Sequence, residues 1–250
     1  MAMIDLASFF DERYEEVDVY LSFLQNVEDA AREGAPRFRG TQTTITTAQK
    51  KILNSSLYLQ LYNLVEATVL RCLEAVAAAV TESGRRPSDL NVSLRTEWVR
   101  SIARTHIDMG AGKRLEAALE LCEQLLQQMP IRQFSIEPGG GGNWDDSSIE
   151  TICERVGCDL TISPSSLQAV KRHIRDDMGA LKLVKNRRNG LAHGSLSFVD
   201  CSDGVTVAEL RSLATAVGDY LREAVGCFVC FIESQIFEGG GRVKKGGVGA

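Results

Sequence analysis

The sequence predicts an all-helical protein in which long central helices are accompanied by a few short accessory helices. Apolar residues recur at three- and four-residue spacing through several long stretches, which is the pattern of a helix that buries one face. Aromatic residues make up 6% of the chain and proline occurs only five times, a profile that favours helices over sheets. A chain of 250 residues can bury a substantial core as one large domain or as two small ones.

The first two predicted helices are long. The first covers residues 4–33 and ends at a glycine and a proline. Thr46 and Gln49 have the spacing of a capping box and begin the second, which covers residues 47–83. Because residues 57–80 are apolar on nearly all sides, we expect the second helix to lie at the centre of the fold.

The second helix carries a carboxylate on a face that should be partly buried. At about 100° per residue, Glu66 lies about 60° beyond Asn63, beside apolar side chains of the same helix. A buried carboxylate without a partner is costly, so we expect a cation beside Glu66, and Arg188 is the candidate. The alternative is that Glu66 reaches solvent. A separate polar stripe marks the exposed side of this helix and consists of Gln60, Asn63, Arg71 and Glu74.

The middle of the chain is expected to hold shorter helices separated by glycine and proline. Residues 94–106 form one, and residues 113–129 form an amphipathic second. Residues 138–142 contain four consecutive glycines and should be a flexible loop, which lacks the Gly-Lys-Ser/Thr ending of a phosphate-binding P-loop. Ser147 then caps a short helix that Gly157 ends.

The last predicted helix carries the longest apolar seam of the chain. It follows a polar connector at residues 195–205, begins at a capping box formed by Thr206 and Glu209, and covers residues 207–237. A seam of that length predicts tight packing on a neighbouring helix, in the same subunit or in another. The glycine-rich, basic tail at residues 239–250 is expected to be disordered. The seam consists of Val207, Leu210, Ala214, Val217, Leu221, Ala224, Phe228 and Phe231.

The cysteines and the absence of long apolar runs favour a soluble cytoplasmic protein. The seven cysteines are odd in number and scattered through apolar stretches, as expected for reduced core residues. Cys227 and Cys230 are the one close pair, and without a second pair or a nearby histidine we interpret them as adjacent core thiols rather than zinc ligands. The N-terminus is acidic where a signal peptide would be basic, and no apolar run approaches the roughly 20 residues of a membrane span.

A basic segment precedes the candidate site. Ser163 and Pro164 begin a helix that is expected to carry this segment and the candidate site in one continuous element. Between residues 171 and 188, seven basic residues stand against two acidic ones, a local net charge of +5 in a chain whose net charge is −5. This asymmetry would concentrate a polyanion near the site. The alternative is an exposed, solvated helix face, and His173 is interpreted as part of the cationic face and not as a catalyst.

Residues 185–194 carry the candidate site. Arg188, Asn189 and His193 lie within six residues, and a glycine follows. Arginine is a permanent cation that can hold a phosphate, whereas histidine titrates near neutral pH and can transfer a proton, so the combination suits phosphodiester chemistry. If this segment is the last turn of a helix that runs into a loop, Arg188 and His193 can face one cavity and Asn189 can orient what they hold.

The spacing of arginine and histidine is a weak signal when taken alone. Arg100 and His106 form a near-match with one more intervening residue, and we interpret His106 as structural because no glycine-bounded loop follows it directly. The alternative for His193 is a histidine at a helix end that interacts with backbone carbonyls through its charge. Only the context of the motif distinguishes these interpretations.

That context resembles a known family. Arg188-Asn189-x-x-x-His193-Gly194 resembles the signature of HEPN domains (higher eukaryotes and prokaryotes nucleotide-binding). Two further features resemble the MAE-type bacterial branch: Tyr58-x-x-x-Tyr62-Asn63-Leu64-Val65-Glu66 in the second helix, and Gly142-Asn143-Trp144 before a short helix. The three features occur in this order between about residues 50 and 235, which is much more specific than the arginine and histidine alone.

The resemblance implies one HEPN-like helical domain at residues 1–238, with its core at about residues 46–237. It further implies a homodimer in which both copies of the motif meet at a shared cleft and cleave RNA without a metal or cofactor, by attack of a ribose 2′-hydroxyl on the adjacent phosphate. Such proteins are typical of toxin–antitoxin and anti-phage systems, so an antitoxin or another defence-system subunit is a further expected partner.

The same resemblance assigns roles to individual residues. His193 would be the general base or acid, Arg188 would hold the phosphate and stabilise its transition-state charge, and Asn189 would orient one of them. Glu66 and Asn63 would support the site. The adjacent Arg187 leaves open which arginine points inward, although the spacing favours Arg188. The expected RNA-binding residues are Arg175, Lys182, Lys185 and Arg187.

Three functions follow from these observations. The first is an endoribonuclease that acts as a toxin or defence effector. The second is a non-catalytic HEPN module that binds RNA or a nucleotide, or that docks a partner protein. The third is a plain helical scaffold, which only the apolar seam of the last helix supports. A complete Arg-Asn-x-x-x-His motif favours the first, because a docking module has no chemical need for all three side chains.

Overall fold

The computed structural model describes residues 5–37, 40, 43–103, 108–139 and 143–234. Regular structure in these ranges is helical, apart from two isolated β-bridges, so the predicted all-helical class is confirmed. None of the helices described there is both long and apolar enough to cross a membrane. The α-helices are α1 (Leu6–Glu33), α2 (Thr47–Glu82), α3 (Val92–Ala103), α4 (Ala111–Leu126), α5 (Asp146–Val156), α6 (Pro164–Lys171), α7 (Ala180–Ala192), α8 (Phe198–Cys201) and α9 (Val207–Glu233), and a short 3-10 helix covers Pro87–Asp89.

The three longest helices, α1, α2 and α9, pack against one another and build most of the core. The capping box predicted for α2 is present: the hydroxyl of Thr46 accepts from the backbone N–H of Gln49 at 3.2 Å, and the Gln49 side chain accepts from the N–H of Thr46 at 2.8 Å. Leu57, Leu61 and Val76 of α2 are fully buried. The central position expected for this helix is therefore confirmed, because α2 contacts α7 and α8 as well as α1 and α9.

The apolar seam of α9 is used within the chain. All eight of its predicted residues are buried, and α9 packs on α1 and α2. The approach of α9 to α1 depends on Gly218, because a Cβ at that position would lie 2.3 Å from the ring of Tyr14. Since the seam is covered by helices of its own subunit, it supplies no separate argument for a second copy.

The prediction of one continuous helix from Ser163 into the candidate site is wrong, because the chain turns between α6 and α7. Asp176 and Asp177 have φ angles of 52° and 53°, and a β-bridge joins the flanking residues Arg175 and Met178. Aspartate tolerates the left-handed conformation better than most residues, so two successive aspartates can form a tight two-residue turn. The turn was not predicted because the basic residues on both sides of it were interpreted as one face of a single helix.

The return of the chain after this turn depends on a glycine. Gly179 is the N-cap residue of α7, and a Cβ there would lie 2.4 Å from the carbonyl oxygen of Val170 in α6. A larger residue would therefore push α7 away from α6. The turn separates the helix that carries the motif from the first part of the basic segment.

The cap of α5 also differs from the prediction. Asp145, and not Ser147, is the N-cap residue: its carboxylate accepts from the backbone N–H of Ser148 at 3.0 Å. The Ser148 hydroxyl in turn accepts from the N–H of Asp145 at 2.7 Å, which completes a reciprocal capping box. Gly157 ends α5 as predicted, and the structure shows it in the left-handed conformation.

The pair of adjacent core thiols predicted at Cys227 and Cys230 is wrong, because Cys227 is only half-buried and Cys230 is exposed. Phe228 and Phe231 occupy the core-facing positions of α9 at this point. The predicted connector at residues 195–205 contains the short helix α8. Several predicted features lie outside the described residues: His106, the glycines at 140–142, the end of the last helix at residue 237, and the tail at residues 239–250.

Candidate active site

α7 carries the motif and lies against α2, α6, α8 and α9. One face of this helix is apolar and anchors it in the core. Arg188 and Asn189 lie at the edge of that face and are half-buried, whereas Lys182 is exposed. The buried residues of α7 are Ala180, Leu181, Leu183, Val184 and Leu191.

Tyr62, Glu66 and Asn189 are among the residues that hold the guanidinium of Arg188. Its central carbon lies 3.6 Å from the centroid of the Tyr62 ring, which is itself buried in α2. One nitrogen lies 3.8 Å from a carboxylate oxygen of Glu66, and another donates a hydrogen bond of 2.8 Å to the side-chain oxygen of Asn189. The ion pair expected for Glu66 is therefore present. A cation over an aromatic face is attracted by the ring quadrupole, so these contacts together fix the direction of the guanidinium.

Arg187 points elsewhere. Its guanidinium lies 2.5 Å from the carboxylate of Asp176 in the turn before α7. Consecutive helical residues are about 100° apart around the axis, so two adjacent arginines cannot both face α2. The structure directs Arg188 and not Arg187 toward Glu66, which agrees with the preference derived from the spacing.

The segment of residues 143–145, which directly precedes α5, lies beside the motif. The side-chain amide of Asn189 donates a hydrogen bond of 2.9 Å to the side-chain oxygen of Asn143. The backbone N–H of Trp144 donates a bond of 3.0 Å to the hydroxyl of Tyr62. Trp144 is buried, so this segment is anchored in the core at the residue that follows Asn143.

A third contact of the same segment joins Asp145 to Lys185, one turn before Asn189 on α7. Burial raises the pKa of Asp145, but the hydrogen bond from Lys185 and those from Ser148 together outweigh it, so this pKa lies below its ordinary value of 3.8. The carboxylate is charged at neutral pH and serves both α5, as its cap, and α7, as an ion-pair partner.

His193 lies one residue beyond the end of α7. Its backbone N–H donates to the carbonyl of Asn189 at 3.0 Å, with φ at −92°. Its side chain is exposed and has no hydrogen-bond or ion-pair partner among the described residues. Five residues correspond to about 140° around a helix, so Arg188 faces α2 while His193 faces solvent. The two side chains are therefore not in contact within one chain.

A comparison with models of protein families shows which family this chain belongs to. The model of the MAE_28990-like HEPN family matches residues 4–235, which is nearly the whole chain. The chain belongs to this HEPN family. The resemblance noted in the sequence is thereby confirmed. No curated protein and no solved structure matches the chain.

The predicted RNA-binding residues of this HEPN domain do not form one free cationic surface. Lys182 is exposed, but Lys185 and Arg187 are paired with the aspartates described above. Arg175 donates to the backbone carbonyls of Asp203 and Gly204 at 2.8 and 3.1 Å, between α8 and α9. Lys185 and Arg175 are therefore bonded to a carboxylate and to carbonyls from other parts of the chain, whereas Arg187 is paired with an aspartate of the basic segment itself.

Two other predicted features lie away from Arg188. Asn63 is exposed and lines a shallow groove between α1 and α2 together with Arg13 and Glu16, so the structure does not bring it to the motif. Arg100 belongs to a structural network, because its guanidinium lies 3.1 Å from Glu97, a carboxylate that is 1% exposed and that Arg155 contacts as well.

Sequence reasoning missed the roles of Tyr62, Asn143 and Asp145. Tyr62 was quoted as part of the family resemblance, and its position one turn before Glu66 on α2 could have indicated that both face the same cation. Asn143 is 46 residues from Asn189, and such a separation leaves no periodic signal. Asp145 could have been recognised as a cap candidate, but its bond to Lys185 depends on the tertiary fold.

Proposed function

We propose that this protein is a metal-independent endoribonuclease whose site is formed by Arg188, Asn189 and His193 of two copies of the chain. The observation that carries the proposal is the contrast within one motif: the guanidinium of Arg188 is fixed on α2, while the imidazole of His193 is exposed one turn further along. An oriented cation and an accessible proton carrier are the two groups that phosphodiester cleavage requires. HEPN domains are often ribonucleases, which supports this function for a family member.

In the proposed reaction, the ribose 2′-oxygen attacks the adjacent phosphorus and its proton passes to a histidine. The bond from phosphorus to the 5′-oxygen breaks, and that oxygen takes up a proton from a second histidine or from water. The products are a 2′,3′-cyclic phosphate and a free 5′-hydroxyl. Arg188 is 22% exposed at its side chain, enough for a phosphate oxygen to reach it, and it would stabilise the negative charge of the transition state.

The separation of Arg188 and His193 supports a dimeric site. Because α7 directs them to different sides, a second copy placed against the end of α7 would bring its own histidine toward the first arginine. Glu66 would hold Arg188 in place between turnovers, and Lys182 would contact the RNA backbone. A toxin or anti-phage effector restrained by an antitoxin or another subunit is the cellular role that we propose for this activity.

The test is cleavage of a mixed RNA pool by purified protein in excess EDTA, beside His193→Ala purified in the same way. We expect the wild type to leave 2′,3′-cyclic phosphate ends and the variant to leave the RNA intact. Cleavage that survives in His193→Ala, or that stops in EDTA, would contradict the proposal.

A second candidate is a non-catalytic docking module, which the exposed apolar side of α4 favours. Leu115, Leu119 and Leu126 are 62%, 61% and 83% exposed. Leucines four and seven residues apart lie near one another on a helix surface, and an open apolar helix face is a common basis of protein–protein contact. Binding of RNA or protein by a wild type that never cleaves RNA would favour this function over the first.

A further inference from the structure

Asn143 and Arg188 are joined through one side-chain amide. Asn189 donates from its nitrogen to the oxygen of Asn143 at 2.9 Å, and accepts at its own oxygen from Arg188 at 2.8 Å. Each of the three side chains thus passes its orientation to the next. These two hydrogen bonds, from Asn143 through Asn189 to Arg188, form a relay that connects the segment of residues 143–145 with the guanidinium.

The hydrogen bond to Asn143 controls which end of the Asn189 amide faces Arg188. An asparagine side chain has donors at one end and an acceptor at the other, and a half-turn exchanges them. Arginine has only donors, so it can be bound by the oxygen of Asn189 and not by its nitrogen. The acceptor oxygen of Asn143 favours the amide orientation that presents the oxygen of Asn189 to Arg188.

Asn143 is itself held in place although its side chain is exposed. The next residue, Trp144, is buried and bonded through its backbone to Tyr62, the ring on which Arg188 lies. The residue after that, Asp145, caps α5 and pairs with Lys185. Consecutive residues therefore fix the backbone of Asn143 relative to both α2 and α7.

We propose that Asn143 is a positioning residue of the active site, which acts through Asn189 to orient the guanidinium of Arg188 toward the phosphate. This inference rests on the proposed ribonuclease function. Asn143 contacts no reacting atom. Its loss leaves Arg188 in the protein but lets the Asn189 amide turn, so the site keeps its charge and loses its alignment. Misplacement of a catalytic group by about 1 Å can lower a rate by roughly 100-fold.

The experiment compares Asn143→Ala with Asn143→Asp, which retains an acceptor oxygen of the same reach. We expect Asn143→Ala to lower kcat about 10- to 100-fold with KM changed less than about threefold, because alignment matters most in the transition state. Asn143→Asp should restore kcat to within about fivefold of the wild type. Asn186→Ala is the matched control on the exposed side of α7 and should leave kcat unchanged. Equal losses in Asn143→Ala and Asn143→Asp would overturn the proposal.

A double variant tests whether the effect passes through Asn189. If it does, Asn143→Ala combined with Asn189→Ala loses no more activity than Asn189→Ala alone, because both remove the same relay. Multiplied losses would overturn the proposal. If Asn143→Ala has a lowered melting temperature, Asn143→Leu replaces it, because leucine keeps the shape of asparagine without the acceptor. Asn143→Leu should show the same loss of kcat.

A readout without RNA separates this inference from the proposed function. The side-chain amide of Asn189 and the guanidinium of Arg188 give separate NMR signals in labelled protein. We expect both signals to move in Asn143→Ala and to return toward their wild-type positions in Asn143→Asp, with Asn186→Ala as the control. If the wild type cleaves no RNA, the proposed function fails while these signals still report on the relay. Signals that stay in place in Asn143→Ala would overturn the positioning role, whatever the activity.

Discussion

α7 and α4 are amphipathic helices of similar length, with 13 and 16 residues, but they differ in how much of their surface other helices cover. α7 has five buried residues and contacts four other helices. α4 packs mainly against α3, buries only Ala117, and leaves Leu115, Leu119 and Leu126 more than 60% exposed. Apolar periodicity predicted α4, whereas α7 was predicted only as the end of a longer helix that in fact divides at Asp176 and Asp177. Periodicity also could not tell whether an apolar face has a partner within the chain.

The difference is informative about function. The polar side of α7 is bonded to distant segments through Lys185, Arg188 and Asn189, and the result is a rigid arrangement around one cation. The apolar side of α4 is open, as a surface for another molecule would be. Rigid placement is a property of a catalytic site, whereas an open apolar face is a property of a contact surface. The two regions thus correspond to the two candidate functions.

The largest effect should come from removing the oriented cation on α7. We expect Arg188→Ala to lower kcat about 1000-fold, because a guanidinium placed on a phosphoryl transition state contributes on that scale. Arg187→Ala is the matched control, since it removes the same charge one residue earlier, where the side chain faces Asp176. Its kcat should stay within about threefold of the wild type. Similar losses in both variants would show that the total charge of α7 matters, and not the orientation of one arginine.

The next effect is on stability and compares the apolar sides of the two helices. Leu183 is 1% exposed, so Leu183→Ala on α7 should lower the free energy of unfolding by about 2–5 kcal/mol. Leu119→Ala on α4 removes the same atoms from a side chain that is 61% exposed, so the free energy of unfolding should change by about 0.5 kcal/mol or less. Urea unfolding followed by circular dichroism measures both. A cost of several kcal/mol for Leu119→Ala would mean that α4 is covered in solution, by a second copy or by a partner.

How well each feature could be predicted depended on how local its cause is. The capping boxes at Thr46 and Thr206 and the end of α5 at Gly157 were predicted correctly, because each depends on residues only a few positions apart in sequence. The start of α5 was predicted two residues late, at Ser147 instead of Asp145. The pairing of Glu66 with Arg188 also followed from the sequence, since a buried carboxylate needs a cation and the motif offered one.

Features decided by tertiary structure were missed. The turn at Asp176 and Asp177 interrupts a segment whose composition suits a helix, and only their positive φ angles reveal it. The partners of Lys185 and Asn189 lie 40 and 46 residues away, where helical spacing carries no information. The basic cluster illustrates the same limit, because its charges could be counted from the sequence but their carboxylate partners could not be located.

The smallest predicted effect concerns the bond that joins α7 to the segment of residues 143–145. The folded-state pKa of Asp145 lies below 3.8, so its charged form stabilises the fold above about pH 4, and this contribution is lost as the pH falls through the folded-state pKa. Asp145→Asn keeps a good helix cap but removes the charge that Lys185 binds. At pH 7 the variant should be less stable by about 1 kcal/mol, as expected for a charged hydrogen bond that is partly exposed.

That deficit should shrink as the pH is lowered from 5 to 2, because the wild type then loses the same charge and approaches the variant. Urea midpoints measured at each pH give the difference directly. Ser147→Ala, two residues further along and exposed, is the control and should follow the wild-type curve at every pH. A deficit that stays constant down to pH 2 would mean that the charge of Asp145, and with it the ion pair to Lys185, is not the cause of the lost stability. The contact between α7 and this segment would then depend on Asn143 and Trp144. The polar side of α7 would contribute less to stability than the comparison with α4 suggests.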